Sequence, residues 1–430
     1  MNNNPPNAAE PMQRWIGFQA FLFPFISLTT PSGIGFSSVL FLLTALCMPR
    51  RCWAVLNPHW REIRWVVAAF WFQFMLALAA SLLRPDVGLA SLDKPARMLL
   101  ALSCMSLVLL ARPQRAALWW GVAGGALAAL PFVAWQRIVD GVERPGGFLN
   151  AITFGDLALT LALVALAAAI DYRHCTRKAL VAGLGALAGL AACMITGTRG
   201  AWIALALAAL LFLCYAQLLH SRKVRLLLAG SFALVGAAFF VPATGMQARA
   251  LQGVDDVRTW VDGGNVFTNV GTRLELWKGA AILIEQRPLF GIDRNAVKGE
   301  IGRLVEQGRL DPAILSLEHL HNDALQALAT GGVFGLLAWI GILAAPFLFF
   351  ARQLGQGVVH DQGTGKAHGM PQFAPALAGM LVVLCYFSFG LTEVIFWSLK
   401  GSMFYALMVF LLMGFCLAAK ATGKDNESGN

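Results

Sequence analysis

The sequence predicts an all-α membrane protein with about twelve transmembrane helices and one long helical loop outside the bilayer. Two observations carry that expectation. The 430 residues are 58% hydrophobic and only 13% charged, and their mean hydropathy of +0.65 is far above that of a soluble domain. The apolar runs also recur at roughly the ~20 residues needed to cross a bilayer.

The spans fall at 15–28, 33–48, 65–83, 97–111, 116–136, 152–170, 179–196, 201–219, 226–241, 323–350, 374–392 and 401–419, the first two of them short. Residues 1–241 thus hold spans one to nine, 242–322 a hydrophilic loop, 323–419 the last three spans, and 420–430 a polar tail read as disordered. Met1 to Met12 is rich in Asn and Pro and the first apolar run contains Pro24, which does not fit a cleaved leader. Gly183, Gly185 and Gly189 in the seventh span are small residues that let helices approach closely.

Orientation follows from the basic residues. With the N-terminus inside, seventeen of the 33 lysines and arginines lie in short cytoplasmic segments and seven in short segments on the other face. That asymmetry favours cytoplasmic N- and C-termini. The long loop is then expected outside, which in a Gram-negative cell is the periplasmic face of the inner membrane. The net charge of +10 is spread over many short loops, so it reads as a topology signal and gives no footprint for nucleic acid. None of the eight cysteines lies in the long loop, so neither a disulfide framework nor a zinc site is expected there.

Inside the loop the helical period returns twice. Leu274, Trp277, Ala281 and Ile284 share one face of a segment that Thr272 is placed to cap and that Pro288 and Gly291 end. Val297, Ile301, Leu304 and Val305 mark a second. Asp311-Pro312 reads as an N-cap and first helical position. The helix it opens either runs through the following histidines into the tenth span or gives way to a new start near Asn322.

Three short motifs bear chemistry at the water boundary. Arg199, in Thr196-Gly197-Thr198-Arg199-Gly200, sits in a connection of a few residues, and Arg273, in Gly271-Thr272-Arg273, starts the first loop helix. Two guanidinium forks suit a diphosphate, because each pairs with phosphate oxygens bidentately and keeps its charge near neutral pH. His319-Leu320-His321-Asn322-Asp323 supplies imidazoles able to accept a proton near pH 7. Glu318 or Asp323 is placed to orient one of them, with His319 and Asp323 an i, i+4 pair if the segment is helical. A helix starting near Asn322 would put its positive end beside His321 and favour a neutral ring. Spacing does not decide between His319 and His321; His321, next to Asn322-Asp323, is preferred. Arg144, with Gly147 and Asn150, forms a weaker element whose simplest reading is a turn with a capping Asn. Asp255, Asp256 and Asp262 make no Asp-x-Asp pair, and no phosphate-binding glycine loop or dinucleotide fingerprint is present. A nucleotide sugar or ATP donor is therefore not expected.

In order and setting these motifs, with Trp277, Arg287-Pro288-Leu289-Phe290-Gly291, Gly331-Gly332 and Gly335, resemble the O-antigen ligase and polymerase superfamily of bacterial envelope glycosyltransferases. The likeness covers roughly residues 144–335. It implies transfer of a glycan from undecaprenyl diphosphate to a sugar hydroxyl of the lipid A-core, with inversion and with neither metal nor cofactor. Carried over, Arg199 and Arg273 bind the diphosphate and His321 takes the acceptor's proton, supported by His319, Asn322, Asp323 and Arg144. An O-antigen polymerase or protein O-oligosaccharyltransferase shares that donor. A lipid-linked sugar transporter would instead call for charges within the spans and broken helices in matched halves.

Overall fold

The computed structural model describes residues 9–83, 88–198, 200–214, 246–294, 296–356, 358–360, 367–369 and 371–427, with isolated positions between 225 and 240. The fold is helical. The strands among the described residues are Val358–His360 and Ala367–Gly369, an antiparallel ladder pairing Val359 with His368.

The first part of the chain contributes α1 (Ala9–Ile26), α2 (Gly33–Leu46), α3 (Pro49–Leu56), α4 (Trp60–Leu83), α5 (Asp93–Leu100), α6 (Leu102–Ala111), α7 (Ala116–Ile138), α8 (Ala151–Asp171), α9 (Thr176–Ile195) and α10 (Ala201–Cys214). After these come α11 (Met246–Val261), α12 (Gly271–Gln286) and α13 (Val297–Glu306). The chain closes with α14 (Asp323–Gln356), α15 (Phe373–Thr392) and α16 (Leu399–Glu427). Among the described residues, eight helical stretches are long and apolar enough to cross a bilayer: 49–83, 89–111, 116–138, 151–171, 176–195, 323–356, 373–392 and 399–420. The expected second and eighth spans appear as the shorter apolar helices α2 and α10, the first as α1, and the ninth, 226–241, lies largely outside the described residues.

α8, α15 and α16 are buried along nearly their whole length, with the other helices around them. Close packing explains the glycines of α9. A Cβ on Gly185 would stand 2.9 Å from the Ala123 Cα, and one on Gly189 would stand 2.8 Å from the Ala158 carbonyl oxygen.

The loop helices α12 and α13 fall where the helical period returns, and α11 is an addition. Leu276, Ala280 and Leu283 of α12 meet Ile301 and Leu304 of α13, with Leu310, Ile314, Leu320 and Ala329, in a small apolar core of their own. Thr272 does not cap α12. The Thr268 hydroxyl accepts from the Gly271 N–H at 2.9 Å, and Thr272, already inside the first turn, donates to the Thr268 carbonyl.

One joint fixes this cap to the bundle. α14 is broken at Gly332, where φ is 60° and ψ −155°. The helix bond from the Val333 N–H to the Ala329 carbonyl is replaced by two others: Val333 donates to the Pro288 carbonyl at 2.9 Å, and the Ile292 N–H donates to Ala329 at 2.8 Å. The 288–292 segment is thereby inserted into the ladder, a recognised cause of a helix break. A Cβ on Gly332 would lie 2.2 Å from the Leu289 carbonyl, and its positive φ is itself one that side chains resist. Proline and glycine in Arg287-Pro288-Leu289-Phe290-Gly291 and the Gly331-Gly332 pair are two halves of one contact.

Candidate functional site

The imidazole pair lies where α14 begins. Asp311 caps only a 3-10 turn, Pro312–Ser316, its carboxylate accepting from the Ala313 N–H at 2.8 Å. The chain then runs non-helically through both histidines, and α14 starts at Asp323. A helix through the pair is therefore excluded, and so is the i, i+4 relation of His319 to Asp323. Asn322 caps α14 by accepting from the Leu325 N–H at 3.0 Å and reaches across to the Leu391 carbonyl at the end of α15. Leu320 is held on both sides, its N–H donating to Gln326 Oε1 and its carbonyl accepting from Trp277 Nε1 at 2.9 Å. Between these fixed points His321 takes φ +50°, a left-handed conformation costing on the order of 1–3 kcal/mol. That turn carries its ring toward α15.

Glu393, not Glu318 or Asp323, orients the imidazoles. It follows the last residue of α15, and its Oε1 accepts from the Val394 N–H at 3.1 Å. Its Oε2 lies 3.0 Å from His321 Nδ1, and Oε1 lies 3.4 Å from His319 Nε2. A carboxylate can only accept, so Nδ1 of His321 is the N–H, and in the neutral ring the lone pair is then on Nε2. The two rings stand edge to face at 4.4 Å, and His319 also packs on Trp397. Burial pushes the Glu393 carboxyl up, but the hydrogen bond and charges of the two histidines and the Val394 N–H outweigh it and hold it below the usual carboxylate value. Burial lowers the His319 ring, with Glu393 partly opposing and His321 and Arg273 adding to the effect.

The same carboxylate borders a polar cavity of about 330 Å³. Arg273, in the first turn of α12, reaches to 3.8 Å from Glu393 Oε2. Arg144 lines the cavity from the connection before α8, its Nε 3.4 Å from the Thr196 carbonyl. Burial lowers Arg273, Glu393 raises it, and Arg144 lowers it further, so the two guanidinium groups are near enough to repel. Arg199 is outside the described residues, but both its neighbours, Thr198 and Gly200, line this cavity. At the wall, Asp156 is 1% exposed, and neither carboxyl oxygen has a hydrogen-bond partner. Asn150 caps α8, accepting from Thr153 at 2.6 Å.

The structure therefore joins His319, His321, Arg273 and Arg144 around Glu393. An acid at the end of an otherwise acid-free helix was the available signal for Glu393. Asp323 is buried at the base of the group with Oδ2 unpartnered. The ligand atoms of His319, His321 and Glu393 lie within 4.8 Å of one another, so this trio is also the group among the described residues able to hold a cation. The 3.0 Å bond between Nδ1 and Oε2 occupies one ligand atom on each side of that set.

A carboxylate-oriented imidazole thus stands beside two guanidinium groups at one end of the helical bundle. Residues 184–340 match the O-antigen ligase family. The ligase-family segment includes Arg199, Arg273, His319, His321 and the joint at Gly332 but neither Arg144 nor Glu393, which reach the site from other parts of the chain. An uncharacterized protein of Haemophilus influenzae is 20% identical over 356 residues, which is 82% of this chain and 86% of that protein. The likeness thus extends well beyond the segment that matches the ligase family, and the apolar helices among the described residues make this a membrane protein.

Proposed function

We propose that the protein is an O-antigen ligase that moves a glycan from undecaprenyl diphosphate to a sugar hydroxyl of the lipid A-core at the periplasmic face of the bacterial inner membrane. The observation that carries the reading is one carboxylate, Glu393, 3.0 Å from His321 and 3.8 Å from Arg273. It joins a proton acceptor to a cationic pocket. His321 Nε2 takes the proton of the acceptor hydroxyl, whose oxygen attacks the anomeric carbon. The bond from that carbon to the diphosphate oxygen breaks, and its electron pair leaves with the diphosphate. Arg273, Arg144 and Arg199 hold the leaving group, and each charge-assisted hydrogen bond contributes about 1.5–3 kcal/mol. Attack opposite the leaving group inverts the configuration. General base catalysis and stabilisation of developing charge supply the rate, with no metal required.

The periplasmic assignment rests on the bias of basic residues away from this end. Arg50, Arg51, Arg61, Arg115 and Lys420 all lie at the opposite helix ends. Reconstitution of the full chain with purified lipid-linked glycan and lipid A-core, in chelator, tests the reading. Glycosylated lipid A-core is expected. Lengthened lipid-linked glycan in its place would make the protein a polymerase, and transfer only after a divalent cation is restored would turn the histidine trio into a metal site.

A further inference from the structure

A second cavity, of about 280 Å³, lies on the other side of the turn that follows Glu393. Glu393 lines the arginine pocket, while Val394, Phe396 and Trp397 line this one. The two cavities back onto the same four residues of chain, and His319 packs against Trp397 between them. The second cavity runs between α4 and α14. On α14 its wall includes residues from both sides of the break at Gly332, among them Ala327, Thr330, Ala338 and Ile342.

Its polar groups are concentrated and incompletely used. Asp323 is 3% exposed. Its Oδ2 has no partner, nor does Trp339 Nε1 or Gln73 Oε1. All three residues line this cavity. Two acceptors and a donor without partners in one apolar groove are matched by hydroxyl groups, which both donate and accept. Two basic side chains stand at the same end, beside Asp293. Lys94 spends two of its three hydrogens on the Phe396 and Trp397 carbonyls, at 2.6 and 2.9 Å. Arg294 stacks on Trp397 with its guanidinium carbon 3.4 Å from the ring centroid, which leaves in-plane N–H groups for an anion. Hydroxyl-matching groups, paired cations and an apolar channel together describe a lipid with an anionic sugar head.

We propose that this cavity seats the acceptor lipid, with its anionic group on Lys94 and Arg294, its sugar hydroxyls on Asp323, Gln73 and Trp339, and its acyl chain along α4 and α14. The two substrates then approach His321 and Glu393 from opposite sides of one turn. The inference rests on the reading of the arginine pocket as the donor site. Because the donor is itself an anionic glycolipid, the two lipids must be measured separately.

Full-length protein in detergent is titrated with lipid A-core lacking any glycan chain and, separately, with undecaprenyl diphosphate. Trp339→Phe, Gln73→Leu and Arg294→Gln are expected to weaken lipid A-core binding roughly tenfold each, as for a lost buried hydrogen bond, and to leave undecaprenyl diphosphate unaffected. Arg273→Gln should do the reverse. The three substitutions avoid the buried Asp323, and a thermal melt of each checks the fold. Unchanged lipid A-core affinity in all three overturns the proposal, and so does weakened undecaprenyl diphosphate binding, which would give the cavity to the donor. These are binding readouts and stand apart from the transfer reaction. A protein that binds both lipids as described yet forms no product would count against the ligase reading and not against the cavity.

Discussion

The two ends of the helix bundle treat buried charge in opposite ways. At the end formed by the start of α7 and the end of α8, Arg115 pairs with both oxygens of Asp171 at 2.7 and 3.1 Å, and Trp119 Nε1 adds a third bond to the same carboxylate at 2.9 Å. Nearby, Glu62 accepts from Lys420 and from Gln353. The charged side chains there are paired, although the Tyr172 hydroxyl and Gln353 Oε1 have no partner. At the other end Asp156, Asp323 and His319 keep atoms without partners, and Arg273 meets Glu393 only at 3.8 Å. Buried polar groups are normally satisfied because leaving one unpaired costs about 1–3 kcal/mol. A bundle that pairs its charged side chains at one end and leaves two carboxylates and an imidazole with unpartnered atoms at the other marks the second end as the one built to receive a ligand.

Substitutions should therefore separate stability from activity by end. Glu393→Gln is expected to have the larger effect, lowering transfer by about 10²-fold, as for a group that positions a general base. The loss should fall on kcat, with donor KM little changed, because the carboxylate acts through the base and not on the donor. Steady-state kinetics decide this, since a merely structural role would lower Tm as well.

Next come Arg273→Lys and Arg115→Lys as a matched pair. Both keep a positive charge and lose the fork. Arg273→Lys is expected to cut transfer roughly tenfold, mainly through donor KM, with little change in Tm. Arg115→Lys should leave transfer near wild type and cost about 1 kcal/mol of stability, discounted because Arg115 is partly exposed. Kinetics and thermal melts on both proteins read the contrast, and equal behaviour of the two would erase it.

The smallest effect is on pH stability. The folded His319 ring lies below its ordinary value of 6.5, so the unfolded chain binds the proton first. Its contribution is complete above about pH 6.5 and is lost as the pH falls through the lower folded value. Tm should decline on acidification from there, and more gently in His319→Asn.

The helices were legible because apolar runs and basic flanks are local properties of a chain in a membrane. The site was legible only in part. Arg273 and the histidines announced themselves through residue type at a span boundary. Glu393 did not, because it lies 72 residues from His321 and its role depends on where α14 starts. That start was left open between Pro312 and Asn322, and the left-handed turn at His321 decides it. Arg144 looked like part of a turn until folding placed it beside Arg273. Arg199 falls outside the described residues, and its neighbours Thr198 and Gly200 are the ones that line the pocket.

The claim that His321 is the base is tested most directly by the rate of glycan transfer from undecaprenyl diphosphate to lipid A-core in proteoliposomes containing His321→Ala. The expected result is a loss of at least about 10²-fold, with undecaprenyl diphosphate binding and Tm both retained. A rate near that of the unaltered protein would contradict the assignment and leave the imidazole as part of the scaffold.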